Sequence, residues 1–153
     1  VPQCAYSTVI QLRSWLPDAV GGVVWLSMDN PGQSPRVPIF CGVTKLPALY
    51  GICGNHRYRK DAALWHYREA NKLAALRWGT WRKPIEQNVL HFERKGQQEL
   101  PMVEARYQTI LKEEGEEAAR SYLNGYTRDF IGATILTWDE MAADFWNAAR
   151  FGF

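Results

Sequence analysis

Residues 23–26 read Val23-Val24-Trp25-Leu26, four apolar side chains in succession. Successive side chains of a strand point to opposite faces, so this run is apolar on both. Such a strand belongs in the middle of a sheet, with cover above and below. Its flanks agree. Gly21-Gly22 permits close backbone approach or unusual φ. Asp29-Asn30-Pro31-Gly32 is a strong turn signal.

Upstream, Tyr6-Ser7-Thr8-Val9-Ile10-Gln11-Leu12-Arg13 is rich in β-branched residues and alternates. Tyr6, Thr8, Ile10 and Leu12 share one face, and Ser7, Val9, Gln11 and Arg13 share the other. Trp15-Leu16-Pro17-Asp18 then breaks the strand, because proline lacks a donor and fixes φ. Downstream, Arg36 to Gly42 predicts a third strand with Val37, Ile39 and Cys41 on one side. Pro38 places it at an edge or a bulge. Three strands on short links form an antiparallel meander. Residues 43–60, rich in Gly and Pro, read as a loop.

From Asp61, a candidate N-cap, the apolar period changes from two to about 3.6. Ala63, Leu64, Tyr67, Ala70, Leu73 and Ala74 form a wide stripe ending near Gly79. A second helix fits 83–99, with Ile85, Val89 and Phe92 on one face, and Pro101 breaks or kinks the path. Val103, Tyr107, Ile110 and Leu111 mark a third helix ending at Gly115. A short fourth carries Ala119, Tyr122 and Leu123, with Gly125 as C-cap. Ile131, Ile135, Trp138, Ala142, Phe145 and Ala149 mark the last. The chain is thus one α+β domain over 1–153, β-rich to residue 60 and helical from 61. Three strands make a thin sheet, and one group of helices covers only one face of it. Cover for the other is expected from outside this chain.

Composition narrows the function. A net charge of +2 is too mild to imply nucleic acid, and the basic run His56-Arg57-Tyr58-Arg59-Lys60 reads as a solvated loop. Apolar stretches fall short of the ~20 residues a membrane span needs. Three cysteines exclude a full disulfide framework. The chain starts at Val1 in strand-like sequence and stops at the apolar Phe151-Gly152-Phe153, so both ends read as ends of a fragment.

The chemical candidates each carry a plainer alternative. Cys4, Cys41 and Cys53 have His56, His66 and His91 available, but no local motif joins them, and a buried free thiol is the commoner state for each. The histidines lack metal-ligand spacing, so no metal or cofactor is implied. Glu113, Glu114, Glu116 and Glu117 suit a solvated first turn of a helix. Gly51-Ile52-Cys53-Gly54 lacks the Lys-Ser/Thr of a phosphate loop. Arg13 stands out, at the end of a polar strand face beside a proline break and a glycine pair. Two roles are open to it: a bidentate grip on a substrate carboxylate, or an ordinary ion pair, with Asp18 as the near partner.

The run Gln11-Leu12-Arg13-Ser14-Trp15-Leu16-Pro17, with Gly21-Gly22 and Trp25, resembles the second half of the dipeptidase A and secernin family. So does Val37-Pro38-Ile39-Phe40-Cys41-Gly42-Val43-Thr44-Lys45-Leu46-Pro47. The resemblance implies a cysteine peptidase of the N-terminal-nucleophile hydrolase type, an αββα sandwich acting on dipeptides. In that family an N-terminal Cys attacks the peptide carbonyl and its own α-amino group manages the proton. Here residue 1 is Val, and Cys4 has no free α-amine. The implied protein is therefore the C-terminal part of a dipeptidase, inactive alone, with no catalytic residue in this chain. Its implied partners are the missing N-terminal part, a dipeptide and a second copy of itself; its compartment stays open. A non-catalytic interaction module of the same architecture is the alternative. So is a related amidase, such as a bile-salt hydrolase or penicillin acylase relative, though those lack the two signatures.

Overall fold

The computed structural model describes residues 4–150, so the terminal residues read above as fragment ends lie outside the described residues. Three strands, β1 (Tyr6–Leu12), β2 (Gly22–Met28) and β3 (Val37–Phe40), form one antiparallel sheet in the order β1-β2-β3. The doubly apolar strand is central, as expected. Val9 pairs with Trp25 and Trp25 with Pro38; Ile10 pairs with Val24 and Val24 with Ile39. Pro38 sits on an edge strand, where its missing donor costs no interior ladder bond.

The link from β1 to β2 holds a single helical turn, α1 (Asp18–Gly21), closed by the Arg13 N–H donating to the Gly21 carbonyl at 2.9 Å. The glycine pair serves close approach. A Cβ on Gly21 would lie 2.8 Å from the Arg13 carbonyl oxygen, and one on Gly22 would overlap Cys41 Sγ. After β3 a 3-10 turn (Ala48–Gly51) interrupts the loop.

Three helices follow: α2 (Ala63–Leu76), α3 (Trp78–Glu113) and α4 (Glu116–Ala149). The expected stripe of α2 is buried at Ala63, Leu64, Tyr67, Ala70, Leu73 and Ala74. Its start differs. Asp61 does not cap; its carboxylate takes the Arg59 guanidinium at 2.6 and 3.0 Å, and Ala62 precedes the helix. Gly79 belongs to α3, and the bend falls at Arg77.

The expected second and third helices are one. Pro84 and Pro101 both lie inside α3, whose 36 residues span on the order of 50 Å. A proline in a helix interior costs about 3 kcal/mol. Leu100 and Val103, on either side of Pro101, are buried against the sheet's core, and that packing outweighs the lost bond. The fourth and fifth helices are likewise one, α4, because the buried face continues past Gly125 through Thr127, Phe130 and Ile131. Gly115, at φ +90°, is the true stop between α3 and α4.

Two apolar clusters form the core. Val23, Trp25 and Phe40, on one sheet face, pack with Leu100, Val103 and Tyr107 of α3 and Leu123 of α4. The second cluster joins Tyr67, Phe92, Phe130 and Trp138 across the three long helices, with Val37 from β3. The helices meet β2 and β3, whereas the main neighbour of β1 is β2. The opposite sheet face is open along β1. There Tyr6 is 62% exposed, Ile10 65% and Leu12 76%, with Trp15 beyond them at 77%.

Candidate functional site

Arg13 leaves β1 on the face it shares with Val9 and Gln11, toward the helices. Its Nη1 pairs with Glu104 of α3, and Nη2 donates to the Val20 carbonyl at 2.8 Å. Both side chains of the pair are nearly buried, and Arg13 Nε is buried with no partner. The ion pair therefore exists, but with Glu104 rather than Asp18. Gln11, one position back on that face, accepts from Trp25 Nε1 at 3.1 Å. The polar end of β1 is a clamp between sheet and helix α3.

A second polar group is fully internal. Asp29, at φ +60° in the turn after β2, is buried. Its carboxylate accepts from Arg68 Nε at 2.8 Å and from Asn71 Nδ2 at 3.0 Å. Asn71 also donates to Ser34, and its carbonyl accepts from Trp138 Nε1. This network fixes the β2–β3 turn to α2 and α4. Sequence reading missed it, although Arg68 and Asn71 interrupting the apolar stripe of α2 were a visible signal.

The segment Gly42 to Pro47 docks on α4. Gly42 lies so near that an added Cβ would be 2.8 Å from Leu123 Cδ1. Asn124 Oδ1 accepts from the Thr44 and Lys45 backbone N–H groups at 2.9 and 3.1 Å.

The thiols and imidazoles are kept apart in their bonding. Cys4 Sγ donates to the Tyr6 carbonyl at 3.0 Å, and Cys41 and Cys53 are exposed free thiols rather than buried ones. His66 Nδ1 lies 2.9 Å from both Asp139 oxygens, linking α2 to α4. No cysteine–histidine bond occurs among the described residues. Nor does a group of three side chains able to hold a metal occur among them. No described helix is long and apolar enough to cross a membrane.

What remains chemically unsatisfied is a surface: the apolar face of β1 and the strand's free edge. An exposed edge strand beside an apolar patch is a ready template for another layer. The family whose description matches this chain is Peptidase family C69, over residues 1–91. That stretch takes in the whole sheet, α2 and the first part of α3. The chain belongs to peptidase family C69. This is the dipeptidase A and secernin family that the two signatures resembled, and it is a family of hydrolases. No curated protein matches the chain. The C69 signatures fall where the fold is most constrained. Arg13 enters the clamp, Gly21-Gly22 the close approach, Trp25 the core, and Gly42 to Lys45 the dock on α4.

Proposed function

We propose that this C69 chain is the C-terminal part of a cysteine dipeptidase, and that the reacting N-terminal cysteine lies on a layer outside it. The observation that carries this reading is the open face of β1. Burying Tyr6, Ile10 and Leu12 under a second sheet stabilises the assembly by about 1.5–3 kcal/mol per side chain. Among the described residues no thiol is bonded to a base, and an internal cysteine has no α-amine to manage a proton. In the joined enzyme the N-terminal thiolate attacks the dipeptide carbonyl. Donors around that site hold the oxyanion. This chain supplies the packed floor and the helix layer behind it.

Arg13 has a positioning role in this reading. Its clamp to Glu104 sets how the end of β1 meets the other layer, and gripping a substrate carboxylate requires Glu104 to release it. Arg13→Lys in the joined enzyme separates the two roles. A raised KM at unchanged stability assigns substrate binding, and unchanged turnover assigns positioning alone.

The purified chain is assayed for dipeptide hydrolysis alone and after joining to a segment that begins with cysteine. The expected result is no turnover alone and turnover on joining, abolished by replacing that cysteine with alanine. Hydrolysis by the chain alone that is lost in Cys4→Ala contradicts the proposal.

A further inference from the structure

The geometry points to a second site, for a free α-amino acid with an apolar side chain, in a cleft on the helix face of the sheet. The cleft encloses about 310 Å³ and is lined by Val9, Trp25, Arg36, Glu93 and Gln97. Ligand pockets run from roughly 300 to 1,000 Å³, so this one suits a small molecule. Val9 and Trp25 are directly paired across β1 and β2 and give it an apolar wall. Trp25 is held from two sides. Its indole N–H donates to Gln11, and its ring stands against Gly96 of α3, where an added Cβ would be 3.0 Å away.

Opposite this wall stand both charges of a zwitterion's complement. Arg36 Nη1 donates to Glu93 Oε1 at 2.9 Å, and both side chains are about one third exposed. The pair leaves bonding capacity on each partner. Arg36 Nε is buried with no partner, and Glu93 Oε2 is uncommitted among the described residues. A small rotation of Arg36 turns its side-on fork toward a ligand carboxylate. Glu93 Oε2 takes the ligand ammonium, and the ligand's apolar side chain lies along Val9 and Trp25. The cleft is on the face opposite Ile10 and Leu12, so covering the open face leaves it reachable. The site stands independently of where the nucleophile lies. Amino acids are also what dipeptide hydrolysis releases, so occupancy would report product level.

The test follows the Trp25 indole N–H resonance of the full-length protein, assigned by Trp25→Phe, during titration with L-leucine. A saturable shift at millimolar leucine is expected. Isocaproate, which lacks the ammonium, and isoamylamine, which lacks the carboxylate, each bind more weakly. Arg36→Met and Glu93→Gln each weaken leucine binding by about tenfold or more. Glu93→Gln keeps the side-chain shape, so it decides the matter if Arg36→Met fails to fold. No shift at millimolar leucine overturns the site, as does a shift unaltered in Glu93→Gln. Isocaproate binding as well as leucine overturns the zwitterion class.

Discussion

Arg13 and Glu104 are 91 residues apart in the chain and meet at a nearly buried ion pair. Removing one partner of such a pair strands the other charge in a poorly solvated place, at a cost of about 3–5 kcal/mol. Arg13→Ala is expected to lower the unfolding free energy by that order in urea denaturation. The double change Arg13→Met with Glu104→Met is expected to recover most of the loss, because it leaves no unpaired charge. Arg13 was legible in the sequence as an arginine with a task, since it ends a polar strand face beside a proline break. Its partner was not, because only the packing of α3 under the sheet brings Glu104 there.

Two tyrosines make a further residue-scale prediction. Burial raises the Tyr67 hydroxyl above its ordinary pKa, against an opposing bond to Thr134. Burial and then the Glu99 carboxylate raise Tyr126. Unfolded tyrosine ionises near about pH 10, while these two keep their protons in the folded state. Above that pH the unfolded chain holds fewer protons than the native one, so stability falls as pH rises. Urea denaturation at rising alkaline pH is expected to show this decline, and Tyr126→Phe to flatten it.

At the scale of elements, α3 shows where local signals yield. Pro101 and Gly125 are ordinary helix breakers read singly, and both lie inside long helices. The apolar stripes on either side of each were legible; their continuity was not, because it depends on partners across the core. Leu100 and Val103 beside Pro101 belong to the sheet's cluster, and Phe130 beyond Gly125 joins the interhelical one. Pro101 is itself exposed and lacks the N–H that an interior helical residue donates. Pro101→Ala is therefore expected to raise the unfolding free energy, by about 1 kcal/mol or more, in urea denaturation. The meander and its order were readable, because Val23-Val24-Trp25-Leu26 and its two turn signals are local features; the third strand is shorter than expected, Val37–Phe40, and Cys41 lies in the turn beyond it.

For the whole molecule the need for two covers was legible in the same four residues, but the share the chain itself supplies was not: Val37, Leu26 and Ile39 on the second face pack against the interhelical cluster, and the part of that face along β1 is left open. Tyr6, Ile10, Leu12 and Trp15 are the surface left over. With no second layer present, this patch is expected to pair copies of the chain. Ile10→Lys with Leu12→Lys is expected to shift the isolated chain toward monomer in sedimentation, because lysines on an edge strand oppose pairing. The bonding of the candidate site was less legible, because Glu104, Asn124 and Arg68 act at long sequence separation.

Hydrogen–deuterium exchange over residues 6–12 compares the chain alone with the same residues in the joined enzyme. A second layer seated on β1 predicts marked slowing of exchange across Tyr6–Leu12 on joining, with little change in helix α4. Equal exchange rates in the two states would mean that no layer covers this strand, and the placement of the nucleophile beside it would be wrong.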